Sequence, residues 1–109
     1  MIAREDFEKV EMRVGTVLEV KDFPEAKNPS YQVKIDFWDF WIKKTSAQIT
    51  KLYNKEELIG KQIVAVTNFP PKQVANFMSE CLILWVVVGD KKYVVLHPER
   101  EVENWLIIA

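Results

Sequence analysis

The feature that most constrains this chain is an order: three strand-like segments, one helical segment, then two more strand-like segments. Met12, Val14, Thr16, Leu18 and Val20 alternate with Arg13, Gly15, Val17, Glu19 and Lys21, which predicts a long first strand with one fairly apolar face. Gly15 within that run predicts a bulge or a sharp bend. Tyr31, Val33, Ile35 and Phe37 share one face of a second strand, and a tight connection near Trp38 and Asp39 leads to a third through Phe40, Ile42 and Lys44. Residues 46–60 (SAQITKLYNKEELIG) read as helical. Ile49, Leu52 and Tyr53 are spaced for one face, Asn54 and Glu57 form a capping pair, and Gly60 is the stop. Residues 62–67 form an apolar run expected of a strand buried on both faces, and residues 81–88 predict a fifth strand ended by Gly89 and Asp90. Short extended pieces are expected at 93–96 and 105–108, and Asp6 is placed to cap a helical turn carrying Phe7 and Val10 inward.

Two proline-bearing loops punctuate this order, 22–30 (DFPEAKNPS) and 68–79 (NFPPKQVANFMS). Five strands with a helix between the third and fourth is the connectivity of the OB-fold, an all-β, five-stranded Greek-key barrel. Its binding face lies on strands two and three, flanked by the loop after strand one and the loop between strands four and five. Those two loops are the proline-bearing segments here, so a site requires them to converge. At 109 residues, with no repeat or linker, residues 1–109 are read as one domain with short extra terminal elements.

Composition then narrows the chemistry. The 15 Lys and Arg residues against 16 Asp and Glu give a net charge of −1, which argues against a domain built mainly to neutralise phosphates. A local basic patch remains compatible with it. Cys81 has no intrachain partner, and no Cys/His set has metal-ligand spacing, so neither metal nor other cofactor is expected. The apolar run 81–88 is far short of the roughly 18 residues of a membrane span, and the charged N-terminus lacks a signal-peptide core. A cytoplasmic protein without membrane insertion is the expectation.

Catalysis has little to work with. His97 stands alone beside Pro98, Cys81 opens an apolar strand, and Gly15, Gly60 and Gly89 are too dispersed for a phosphate loop. The reading is a binding protein and not an enzyme. Tyr31, Phe37, Phe40, Lys43 and Lys44 on strands two and three interleave aromatic and cationic groups. Phe69, Lys72, Gln73, Asn76, Phe77 and Ser79 continue the pattern on the later loop. Such a face suits nucleic acid, through stacking and phosphate pairing, or an extended peptide, through apolar pockets and backbone hydrogen bonds. The residue pattern leaves both open.

The opening DFEKVEMRVGTVLEV, residues 6–20, resembles the start of the tRNA-binding domain found in the endothelial-monocyte-activating polypeptide, at the C-terminus of bacterial methionyl-tRNA synthetases and in small stand-alone proteins. The segments IKKTSAQIT (42–50) and YNKEELIGKQIVAVTNFPPKQVANFMSE (53–80) resemble more specifically the CsaA family of export-related chaperones. That resemblance implies a homodimer of OB-fold barrels whose grooves bind unfolded or precursor polypeptides in protein secretion, with a related branch binding tRNA by shape. Carried onto this chain, it implies Asn68, Phe69, Lys72, Gln73, Ser79 and Glu80 on the loop, and Lys43, Ser46 and Gln48 on the strand-three side. The family's second cation after the loop lysine is Gln73 here, which weakens the tRNA reading. Trp38, Trp41, Trp85 and Trp105 stand where the family is expected to have glycine. If each glycine served a positive φ, each replacement would cost about 1–3 kcal/mol in strain. Trp38 and Trp41 are expected to flank the groove, and Trp105 begins an apolar tail (WLIIA) that is covered either by its own barrel or by a partner chain.

Overall fold

The computed structural model describes residues 1–39 and 41–109; Phe40, expected in strand three and on its binding face, lies outside the described residues. A short helix, α1 (Arg4–Glu8), opens the chain, with the Ala3 N–H donating to Asp6 Oδ2 at 3.0 Å. The cap position is thus Ala3 and not Asp6, which lies inside the helix and reaches back to the Ala3 N–H; Phe7, expected inward, stays 39% exposed. The architecture is then set by β1 (Met12–Asp22), which serves neighbours on both edges. Residues 16–22 pair antiparallel with β2 (Tyr31–Trp38), and residues 12–16 with β4 (Gln62–Val66). The edge that β2 leaves uncovered is taken by the C-terminal tail: the Trp105 N–H donates to the Val14 carbonyl and the Ile108 N–H to that of Met12.

A strand shared this way must curl. The register slips between Val17 and Glu19, so Leu18 turns 44% exposed while Val14, Val17 and Val20 point inward. The irregularity therefore sits beyond the glycine that predicted it. Gly15 matters for a different reason. A Cβ there would lie 2.5 Å from Ile35 Cγ2 and 2.9 Å from the Phe37 ring, so its missing side chain lets the strands close on the core.

β3 (Trp41–Ala47) runs antiparallel to β2 across a turn at Asp39, whose φ is +42°. The expected helix over 46–60 shrinks to one turn, α2 (Lys55–Leu58). Ser46 and Ala47 stay in β3, and Ala47 and Ile49 are buried against the barrel, while Leu52 is exposed. Packing of individual apolar residues displaces the helical period. The capping pair is as read: Asn54 Oδ1 accepts from the Glu57 N–H and Glu57 Oε1 from the Asn54 N–H, both at 2.8 Å. Gly60 follows at φ +87°, the left-handed stop.

Beyond β4 the 68–79 loop carries a hairpin of its own, β5 (Lys72–Val74) and β6 (Phe77–Ser79). The expected fifth strand is split. β7 (Leu82–Ile83) pairs with β4, and β8 (Trp85–Gly89) departs to form a separate hairpin with β9 (Lys92–Val95). The sheet order β3-β2-β1-β4-β7 closes through the residues just before β7, where the Glu80 N–H donates to the Lys44 carbonyl at 2.8 Å. This is the all-β OB-fold barrel, with Phe37, Ile35, Leu58, Ile63, Val17 and Val33 sealed at its centre. Each such side chain contributes about 1.5–3 kcal/mol through removal from water. Among the described residues no helix is long and apolar enough to cross a membrane.

Candidate functional site

The two proline-bearing loops do converge. Ala26, Lys27, Asn28 and Ser30 of the first face Phe69, Pro70, Pro71 and Lys72 of the second across a groove of about 840 Å³. Its floor is Thr45, Ser46, Gln48 and Ser79, and its far end is Cys81, Leu82 and Trp85. The lining is largely apolar, with Lys27 and Lys72 as its cations and no carboxylate among the described residues.

The floor is built by side chains. β3 offers backbone donors toward residues 79–80, and the sequence supplies acceptors there in place of a regular ladder. The Ser46 N–H donates to Ser79 Oγ at 2.9 Å, with the two hydroxyls 3.1 Å apart, and the Lys44 N–H donates to Glu80 Oε1 at 3.0 Å. Thr45 Oγ1 reaches the Cys81 carbonyl at 2.6 Å. Burial pushes the Cys81 thiol up to about 12, so it stays protonated and inert at neutral pH. His97, exposed, makes a 2.7 Å contact from Nδ1 to the Pro98 carbonyl, away from the groove. Among the described residues no three His, Cys, Asp or Glu side chains gather as a metal site.

Of the residues assigned to binding from sequence, Ser46, Gln48, Phe69, Lys72, Gln73 and Ser79 line this groove. The others among the described residues are elsewhere. Phe37 is fully buried, its ring edge-on to Trp105 at 6.1 Å, because the inward face of β2 is the barrel core. Tyr31 is likewise buried, its hydroxyl donating to the Tyr53 carbonyl at 2.8 Å; burial raises its pKa above the usual phenol value. Phe77 packs on Phe23 at 5.4 Å with Lys44 Nζ 5.0 Å over its ring. Asn68 ties the loop to the start of β1, accepting from the Glu11 N–H and donating to the Lys9 carbonyl. Lys43 lies 5.6 Å over the Trp41 ring, and Glu80 is occupied in closing the barrel.

The tryptophans are redistributed too. Trp85 lines the groove, whereas Trp38 and Trp41, expected to flank it, are exposed at the β2–β3 turn and do not. Among the four, only Trp105 has a positive φ, +73°. Its ring is held by Trp41 at 5.0 Å and by the Arg13 guanidinium at 4.5 Å. Sequence reasoning missed Lys27, Asn28, Leu82 and Trp85. The first two lay within a loop already singled out, but nothing local marks which of its residues turn inward.

Comparison with known proteins agrees with this fold. The profile of the family described as "Putative tRNA binding domain" matches residues 12–104. The crystal structure of the chaperone CsaA from Bacillus anthracis superposes with a TM-score of 0.95 at 48% identity, covering 100% of this chain and 99% of that one. The CsaA chaperone protein from Picrophilus torridus gives 0.93 at 49% identity, with both chains covered in full. A methionine–tRNA ligase of Pyrococcus abyssi is 35% identical over 99 residues, but this chain spans only 13% of that enzyme's length. Fold, full-length coverage and identity together place the chain: it belongs to the CsaA family within the tRNA-binding-domain group.

Proposed function

We propose that this protein is a CsaA-type, protein-secretion-related chaperone of the cytoplasm that holds unfolded or precursor polypeptides in the groove between residues 26–30 and 69–74, without catalysis. The observation that carries this reading is the groove itself. An apolar trough of about 840 Å³ with Lys27 and Lys72 as its cations suits an extended chain better than a run of phosphates. The net charge of −1 agrees.

The working unit in this reading is a homodimer. Val86, paired with Val94 across the β8–β9 hairpin, and Leu96 just beyond it share one side by strand alternation and are 47, 40 and 40% exposed, an apolar face that a second copy would cover. The tail, by contrast, is already paired to its own β1. Two grooves in one particle would engage two segments of one unfolded client and gain avidity.

A second reading, tRNA binding, is favoured by the family match over residues 12–104. One titration series separates the two. Fluorescently labelled unfolded precursor and tRNA are titrated at low and high salt, alongside sedimentation at low protein concentration. The chaperone reading expects saturable precursor binding that changes little with salt. Steeply salt-dependent tRNA binding without precursor binding would replace it, and a monomer in sedimentation would remove the paired grooves.

A further inference from the structure

The hairpin beside the groove leaves one strand edge unused. β5 pairs with β6 through Lys72↔Ser79, Gln73↔Met78 and Val74↔Phe77, with Ala75 and Asn76 as the turn. In a hairpin closed by a two-residue turn, alternate pairs exchange backbone hydrogen bonds. Val74 and Lys72 therefore bond inward to β6, and the N–H and C=O of Gln73 point to the outer edge. No described residue bonds to that backbone. The Gln73 side chain is turned back, Nε2 donating to the Ala75 carbonyl at 3.0 Å, so it does not cover the edge.

The groove runs along this edge. Lys72, Gln73 and Val74 are consecutive, so their side chains alternate between the two faces of the hairpin, yet all three line the groove. Of β6 only Ser79, at the open end of the hairpin, reaches the groove, and Phe77 and Met78 do not. A space bordered by all of β5 but by β6 only at its end extends beside the hairpin, within reach of a further strand on the free edge of Gln73. Exposed edges of this kind template pairing with another chain unless charge, proline or a covering element blocks them. Pro70 and Pro71 stop just short of β5, and Lys72 is the charge on it.

We propose that the bound polypeptide adds to β5 as an extra β-strand, hydrogen-bonded to the main chain of Gln73, with its side chains against Phe69, Leu82 and Trp85. This rests on the chaperone reading and adds how one site accepts unrelated clients: recognition is through backbone, which every polypeptide carries. Lys27 and Lys72, with no carboxylate opposite, favour neutral or acidic segments.

The test uses the full chain and a fluorescein-labelled 12-residue peptide of alternating Val and Ser, measured by anisotropy beside the same peptide N-methylated at every second residue, in both registers. Strand addition expects at least tenfold weaker binding of one methylated register. Gln73→Pro, which removes the edge donor at a position an edge strand tolerates, is expected to lose a similar factor, and Gln73→Ala, which keeps that donor, a smaller one. Unmethylated and both methylated peptides binding equally would overturn strand addition and leave the chaperone reading standing. Binding by none of them, together with no binding of unfolded precursor, would remove both. Because the methylated peptides probe the unaltered protein, the result does not depend on the proline variant folding.

Discussion

The backbone N–H of Ser46 donates to the side-chain oxygen of Ser79 at 2.9 Å, so the floor of the groove is held by a hydroxyl where a regular sheet would use a main-chain carbonyl. With Glu80 accepting from the Lys44 N–H, this makes the seam between β3 and the end of β6 dependent on sequence, not on backbone alone. Ser79→Ala leaves a part-buried N–H without its acceptor, an expected loss of about 1–3 kcal/mol in urea unfolding. Ser46→Ala keeps that bond and removes only the hydroxyl contact, so it should cost clearly less. Equal losses would show that the seam is held by something other than this bond.

Gly15 is where packing tolerance is smallest. The Cβ of an alanine would fall 2.5 Å from Ile35 Cγ2, and Ile35 and Phe37 are both at 0% exposure with no room to retreat. Gly15→Ala should destabilise by about 1–3 kcal/mol or more, read as a lower denaturation midpoint with an unchanged slope. A midpoint within error of the parent would mean the barrel opens more readily than its packing indicates.

Two left-handed residues should respond oppositely to glycine. Ala75 sits at φ +51° in an exposed turn with no side-chain packing to lose, so Ala75→Gly should stabilise by about 1 kcal/mol. Trp105 at φ +73° carries similar strain, but its ring is wedged against Phe37, Trp41 and Arg13. Trp105→Gly should therefore lose about 2 kcal/mol net, contact loss exceeding strain relief. Thermal denaturation of both variants checks the pair, and stabilisation of both would mean the indole contributes nothing to packing.

Cys81 supplies a pH signature. Burial is the main cause that pushes its thiol from 9.0 up to about 12, and the nearby Lys43 charge offsets this only in part. The folded chain keeps the proton while the unfolded chain releases it. The stabilisation is thus complete below pH 9 and is lost as pH rises toward about 12, at a limiting slope of about 1.4 kcal/mol per pH unit. Cys81→Ala should flatten that part of the stability profile relative to the parent. Parallel profiles would place the thiol in contact with water.

The chain's own neighbours decided a great deal. Alternation at 31–37, the Asn54–Glu57 pair, the left-handed Gly60 and the two proline loops are written in residues a few positions apart, where turn chemistry and strand period act directly. These were enough for strand order, barrel and the place of the groove. What lay beyond reach depends on contacts across the fold. Whether Leu18 or Gly15 takes the irregularity is set by β2 and β4 pulling on opposite edges of β1. The truncated helix, the split fifth strand and the burial of Phe37 and Phe77 follow from which surfaces meet once the sheet curls. The seam between Ser46 and Ser79 joins residues 33 apart in sequence. Local rules fix which faces a strand offers; only the closed barrel determines which of those faces water, core or groove, because burial is a property of the assembled partners and not of the segment.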